Sequence, residues 1–208
     1  MPGRRAIRPV FCRTAAPVQT PDGVTFPAAS GVPGRCWSGT GCAPLVLFED
    51  ETTRVEWEEV VGCGSVTGAG LPPQARGYAE RLHMVGWPWR LGLSRPLWGR
   101  FCGSRHSLVW IVWEGRLNKS WCFLDGKLLR GMNVALPGLI QAEGVRLDMQ
   151  LQSGLVDEPI RGALGGLRLP GPAGRFLAGR ERKCTAPARL SGEFKDHGQV
   201  IHEVVEWA

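Results

Sequence analysis

The sequence predicts an all-β protein, an antiparallel barrel or a β-sandwich, on three observations. The 29 Gly and 16 Pro together exceed a fifth of the 208 residues, which favours short elements joined by turns. Apolar residues recur in short runs with period two, as strands with one buried face require. Tight-turn signals such as Asp125-Gly126 separate those runs, and no segment carries a sustained helical period. Short strands at regular spacing close into a barrel or stack as a sandwich, because either arrangement protects the sheet edges.

The elements follow in order. Residues 1–22 carry Arg4, Arg5, Arg8 and Arg13 and no acid before Asp22, and are expected to be a flexible basic tail ahead of one domain over 23–208. Up to residue 44 the chain is rich in Pro, Gly, Ser and Thr, and only Gly23–Phe26 reads as a strand. Leu45–Phe48 and Arg54–Val60 are two strands. In the second, Val55, Trp57 and Glu59 share one face, and Arg54, Glu56 and Glu58 the other. Residues 62–76 read as a Gly/Pro loop. From Gly77 to Gly126 the chain is a tryptophan-rich series of strands and hairpin turns. Its run Ser107-Leu108-Val109-Trp110-Ile111-Val112-Trp113 is apolar on both faces, so both should be buried, and alternation keeps Trp110 and Trp113 from sharing one face. Leu136–Glu143 reads as a short turn, Val145–Gln152 as a strand with one wet face, and 153–180 as a long loop. Ala188–Phe194 and Gln199–Trp207 are the last strands.

Composition narrows the function classes. The net charge of +6 resides largely in the N-terminal arginines and forms no basic stripe on a patterned face, so nucleic-acid binding is not expected. The seven cysteines have no Cys-x-x-Cys spacing, and no His/Asp/Glu cluster has metal spacing, so neither a metal nor another cofactor is expected. Irregular spacing and the lack of an apolar leader fit reduced thiols in a cytoplasmic protein, although Cys36 and Cys42 sit close enough in a Gly-rich loop to pair under oxidation. Cys102 and Cys122, in apolar strands, read as small core residues. No run approaches the ~18 apolar residues of a membrane-spanning helix. Nine Trp against one Tyr suit a core or the wall of an apolar ligand site. Nothing in the sequence speaks to oligomeric state.

Gly77-Tyr78-Ala79-Glu80, then Trp98-Gly99-Arg100 and Ser107-Leu108-Val109-Trp110, resembles the pattern of the carotenoid 1,2-hydratase (hydroxyneurosporene synthase) and tocopherol cyclase-like group, and Ile201–Trp207 is similar to that group's terminal strand. The group's pattern is Gly-Tyr-x-Asp, an apolar stretch and Trp-x-Arg. Here Glu80 replaces the Asp, and the Asn that follows it in the group is absent. The resemblance implies a lipocalin-like barrel with an apolar cavity, and an apolar, isoprenoid-type small molecule as partner.

On that basis Glu80, Tyr78 and Arg100 are the candidate catalytic residues, and Trp98, Trp110 and His202 the candidate ligand-binding ones. A carboxyl on an apolar wall has its pKa raised by desolvation, which suits a general acid. A buried guanidinium demands a carboxylate, so Glu80 and Arg100 read equally well as a structural ion pair. His202 shares a face with Val200 and Val204, while the adjacent Glu203 must face the other way. Three functions stay open: a hydratase, isomerase or cyclase; a non-catalytic carrier of a hydrophobic ligand; and a barrel filled by its own side chains.

Overall fold

A computed structural model describes residues 16–28, 33–135, 138–150, 153–160, 171, 174 and 178–207. The N-terminal arginines and residues 161–170 of the expected long loop lie outside these. The chain is all-β and antiparallel, with the strands of a lipocalin-like barrel arranged as two sheets.

The first sheet has six strands: β1 (Val18–Thr20), β2 (Gly23–Phe26), β3 (Arg35–Ser38), β4 (Leu45–Glu49), β5 (Arg54–Gly68) and β6 (Arg76–Val85). β5 organises it. Along one edge it takes β4 on its first half and β3 on its last residues; along the other it takes β6. Two sequence expectations are corrected here. The segment read as tail to residue 22 contains β1, whose Val18 pairs with Thr25 in a tight hairpin. The loop expected over 62–76 begins only after Gly68: residues 62–68 are the far half of β5, because their glycines permit close approach, and a Cβ on Gly64 would stand 2.1 Å from the Ser38 carbonyl oxygen.

After a 3-10 turn at Pro88–Leu91 the chain builds a curled ten-stranded sheet. Its strands are β7 (Leu93–Gly103), β8 (Ser107–Gly115), β9 (Lys119–Leu124), β10 (Lys127–Leu129), β11 (Asn133–Ala135), β12 (Leu139–Ala142), β13 (Val145–Met149), β14 (Ser153–Pro159), β15 (Arg180–Gly192) and β16 (Asp196–Glu206). The spatial order is β10-β9-β8-β7-β16-β15-β13-β12-β11, with β14 also on β15. The β9–β10 turn has Asp125 at φ 49° and Gly126 at φ 77°, the paired left-handed conformation that Asp-Gly favours. β12 replaces the turn expected over 136–143, and β14 occupies the start of the expected 153–180 loop. Both are short strands that a neighbour's hydrogen bonds recruit, β13 for β12 and β15 for β14.

The ten-stranded sheet buries both faces. On one, Phe101, Leu108, Trp110, Cys122, Leu147 and Leu190 form a core filled by side chains. On the other, Val109, Ile111, Trp113 and Phe123 pack against Leu47, Val55 and Trp57 of the six-stranded sheet. β8 supplies both cores by alternation, so Trp110 and Trp113 lie on opposite faces. No helix among the described residues is long and apolar enough to cross a membrane.

Candidate functional site

Arg100 is the centre of the space between the sheets. It lies on β7 one alternation from Trp98, opposite Val109 of β8 and Ile201 of β16, and its side chain points toward β5 and β6. There Glu59 and Glu80 are direct cross-strand partners on one face, so two carboxylates stand side by side. A β-bulge follows at once, between Glu59 and Val61, which turns Val61 to the opposite face with Ala79 and Val24. Gly62 leaves room for the cluster: a Cβ there would meet the Glu59 carboxyl at 3.2 Å.

Arg100 is fully enclosed, and its guanidinium bridges the acids. Nη1 donates to Glu59 Oε1, to the Gly62 carbonyl oxygen at 3.0 Å and to Ser107 Oγ at 2.9 Å, while Nη2 donates to Glu80 Oε1. The Tyr78 ring lies 4.8 Å from the guanidinium carbon and 5.4 Å from the Trp98 ring. Burial raises the pKa of Glu80 above the ordinary carboxylate value; the Arg100 charge and hydrogen bond pull it down without cancelling that rise. Burial opposes the charge on Arg100, but the two acids outweigh it and hold the guanidinium more basic than usual. The Tyr78 hydroxyl is also made less acidic, first by burial and then by Glu80.

Two cavities meet at this cluster. The larger, about 550 Å³, lies between β5 and β6 on one side and β7, β8 and β16 on the other. Its wall is mainly apolar, with Trp57, Trp98, Trp113 and Trp207 among its rings, and its acids are Glu80 and Glu203. The second, about 470 Å³, is polar and includes Ser65, Arg76, Arg105, His106 and Asp125. Glu59 and Ser107 belong to its wall. Arg76 is fixed there by the carbonyl oxygens of Gly103 and Cys63, at 2.6 and 2.9 Å. Cys102, expected to be simple core packing, lies beside Cys63, whose thiol together with burial pushes the Cys102 pKa up strongly. Cys36 and Cys42 are free thiols.

Of the residues singled out from sequence, Tyr78, Glu80, Trp98 and Arg100 are brought together. Trp110 and His202 are not. Both lie on the opposite face of their strands, Trp110 fully buried in the filled core, and neither is part of the apolar cavity's wall. They hold each other instead: Trp110 Nε1 donates to His202 Nδ1 at 3.3 Å. Burial, helped by the Arg95 charge, lowers the His202 pKa to about 4, so the ring stays neutral and can accept that bond. Gly99 makes this packing possible, since a Cβ there would stand 2.1 Å from Trp110 Cζ2.

Sequence reasoning missed Glu59 and Glu203. Glu59 carried a signal, its place on the Val55/Trp57 face, where an acid must find a cation. Glu203 lines the cavity across from Trp98, paired with Lys183 at 3.2 Å. Burial and the adjacent Glu181 carboxyl raise its pKa to about 7. Its only sequence mark was opposite parity to His202.

No protein-family profile matches the chain, and no curated protein is significantly similar to it in sequence. Solved structures are similar in fold. A crystal structure of CghA with Sch210972 superposes with a TM-score of 0.55 at 12% identity, covering 89% of this chain and 64% of that chain. A crystal structure of CghA gives 0.56 at 13% identity with the same coverage. At this identity the likeness shows the fold alone, a lipocalin-like barrel, and the chain spans 64% of the length of CghA.

Proposed function

We propose that the protein binds an apolar, isoprenoid-type small molecule between its two sheets and that Glu80 acts on it as a general acid, in a reaction of the hydratase, isomerase or cyclase kind. The observation that carries this reading is a cavity of about 550 Å³ with an apolar, Trp-rich wall and a carboxyl of raised pKa in it. That volume suits a drug-sized or short prenyl ligand. Apolar walls supply affinity without direction, and a protonated Glu80 supplies the polar group that can act on an alkene or carbonyl. Tyr78 packs over the Arg100 guanidinium and keeps it aimed at Glu80, which makes Tyr78 and Arg100 positioning residues. Trp98 takes the ligand-wall role. The motif resemblance to carotenoid 1,2-hydratases points to the same chemistry. One structural neighbour, CghA, has a crystal structure with Sch210972.

Turnover of polyene and prenyl substrates by wild type and by Glu80→Gln tests the proposal. Loss of turnover with retained binding supports it; equal rates remove Glu80 from the chemistry. The Arg100–Glu80 ion pair favours a second reading, a non-catalytic carrier, because an ionised Glu80 has no proton to give. Under that reading lipophiles quench the Trp fluorescence of wild type and Glu80→Gln alike, a ligand co-purifies in native mass spectrometry, and no substrate turns over.

A further inference from the structure

Two cysteines from different sheets meet beside the polar cleft. Cys63 lies on β5, where an irregularity between Val61 and Gly64 sets Gly62 and Cys63 against the single residue Tyr78. Its side chain belongs to the wall of the polar cleft. Cys102 lies on β7 with the parity of Trp98 and Arg100, so it faces the six-stranded sheet. The two thiols hydrogen-bond each other. Cys63 Sγ also stands 3.9 Å from the carbonyl oxygen of Gly103, the residue after Cys102. Arg76 clamps both strands at this point, donating to the Gly103 carbonyl oxygen at 2.6 Å and to the Cys63 carbonyl oxygen at 2.9 Å.

The two sulfurs are not equivalent. Cys63 opens on the cleft, whereas Cys102 is no part of its wall. The hydrogen bond from Cys102 lowers the Cys63 pKa against the effect of burial, with help from the Arg76 and Arg100 charges. Cys102 is pushed the other way, by Cys63 and by burial. The thiolate is the nucleophilic form of cysteine, so the reactive member faces the cleft and a thiol stands behind it.

We propose that Cys63 and Cys102 are a reactive thiol pair: a peroxide entering the polar cleft oxidises Cys63, and Cys102 then closes a reversible disulfide that joins the two sheets. The chemistry balances in two steps. The Cys63 thiolate attacks one peroxide oxygen, the O–O bond breaks, and the departing hydroxide takes up the proton the thiol had released, giving water and a sulfenic acid. The Cys102 sulfur then attacks the Cys63 sulfur. The S–S bond forms, the S–O bond breaks, and the Cys102 proton leaves with the oxygen as a second water. The two sulfurs give up one electron each, the peroxide takes both, and a dithiol reverses the bond by exchange. The reaction needs no ligand in the apolar cavity, so it is independent of the function proposed above.

Peroxide treatment of the full chain tests the pair. Cys36, Cys42, Cys122 and Cys184 are also free thiols and serve as internal controls. The chain is exposed to about one equivalent of hydrogen peroxide at pH 7, alkylated with iodoacetamide and mapped by peptide mass spectrometry. The first product expected is a Cys63–Cys102 linked peptide that dithiothreitol separates. In Cys102→Ser the sulfenic acid has no partner, and dimedone should label Cys63 several-fold faster than Cys36, Cys42 or Cys184. In Cys63→Ser, oxidation of Cys102 should slow several-fold. A first disulfide between any other two cysteines overturns the proposal, and so does dimedone labelling of Cys63 no faster than of the control thiols. Should either variant fail to fold, the wild-type chain still decides: the linked peptide as first product supports the pair, and its absence overturns it.

Discussion

The two faces of the ten-stranded sheet are both apolar, yet one is filled and the other, where the tryptophans gather, holds a cavity. On the filled face Trp110 lies over Gly99 among mainly apolar side chains, with His202 accepting its one N–H. On the other face Trp98 and Trp113 meet a second sheet, and the meeting is propped open by Arg100 with its two acids. Charged groups that must keep their hydrogen bonds cannot collapse as methyl groups do, so space survives beside them. Apolar composition therefore does not decide where a ligand can sit. Strand parity and the placement of one cation do.

That contrast can be broken most severely at its two anchors. Trp110→Ala should destabilise the protein by about 3–5 kcal/mol in urea unfolding, the usual effect of emptying a filled aromatic site. Arg100→Met should destabilise it by a similar amount at pH 8, about 3–5 kcal/mol, because two buried carboxyls lose their cation. Their folded pKa values then rise, the native state holds more protons than the unfolded chain, and stability should recover as pH falls toward 5. A Trp110→Ala variant shows no such recovery, which separates the two faces in one pair of titrations. Gly99→Ala should follow at roughly 1–3 kcal/mol, since the added methyl collides with the Trp110 ring.

His202 and Glu203 sharpen the comparison through pH. They are adjacent on β16 and point to opposite faces. The His202 pKa falls from 6.5 to about 4, so its contribution is complete above 6.5 and is lost as pH drops toward 4. The Glu203 pKa rises from 4.5 to about 7, so its contribution is complete below 4.5 and is lost as pH rises through 7. His202→Asn should flatten the acid side of the stability profile, and Glu203→Gln the neutral side, in thermal melts across pH 4–8. The smallest effect on stability belongs to Trp98→Ala, on the order of 1 kcal/mol for a partly buried cavity wall, with its main consequence a weaker quenching of Trp fluorescence by lipophiles.

Much of this was legible in the residues. The alternation of Arg54–Val60 placed Glu59 beside Trp57, and the doubly apolar run of β8 foretold two buried faces. Tyr78, Glu80, Trp98 and Arg100 were marked as a group, and they meet. Trp110 and His202 were drawn into that group wrongly, because a sequence shows which residues share a face but not which face holds the space. Glu59 was passed over as a site residue because its partner lies 41 positions away. The strands β1, β12 and β14 were hidden for a related reason. They are short and weakly patterned, and pairing with a neighbour, not their own composition, makes them strands.

By itself the sequence determined the all-β class and the strand parities, since period-two patterning is local physics, and a family resemblance marked Arg100 and Glu80 as a pair. Only the tertiary structure decided that Glu59 and Glu80 share one cation, that one cavity is apolar and the other polar, and that Trp110 is core. Those outcomes depend on which strands pair and which sheets face each other, and register between residues distant in the chain is set by the packing of the whole.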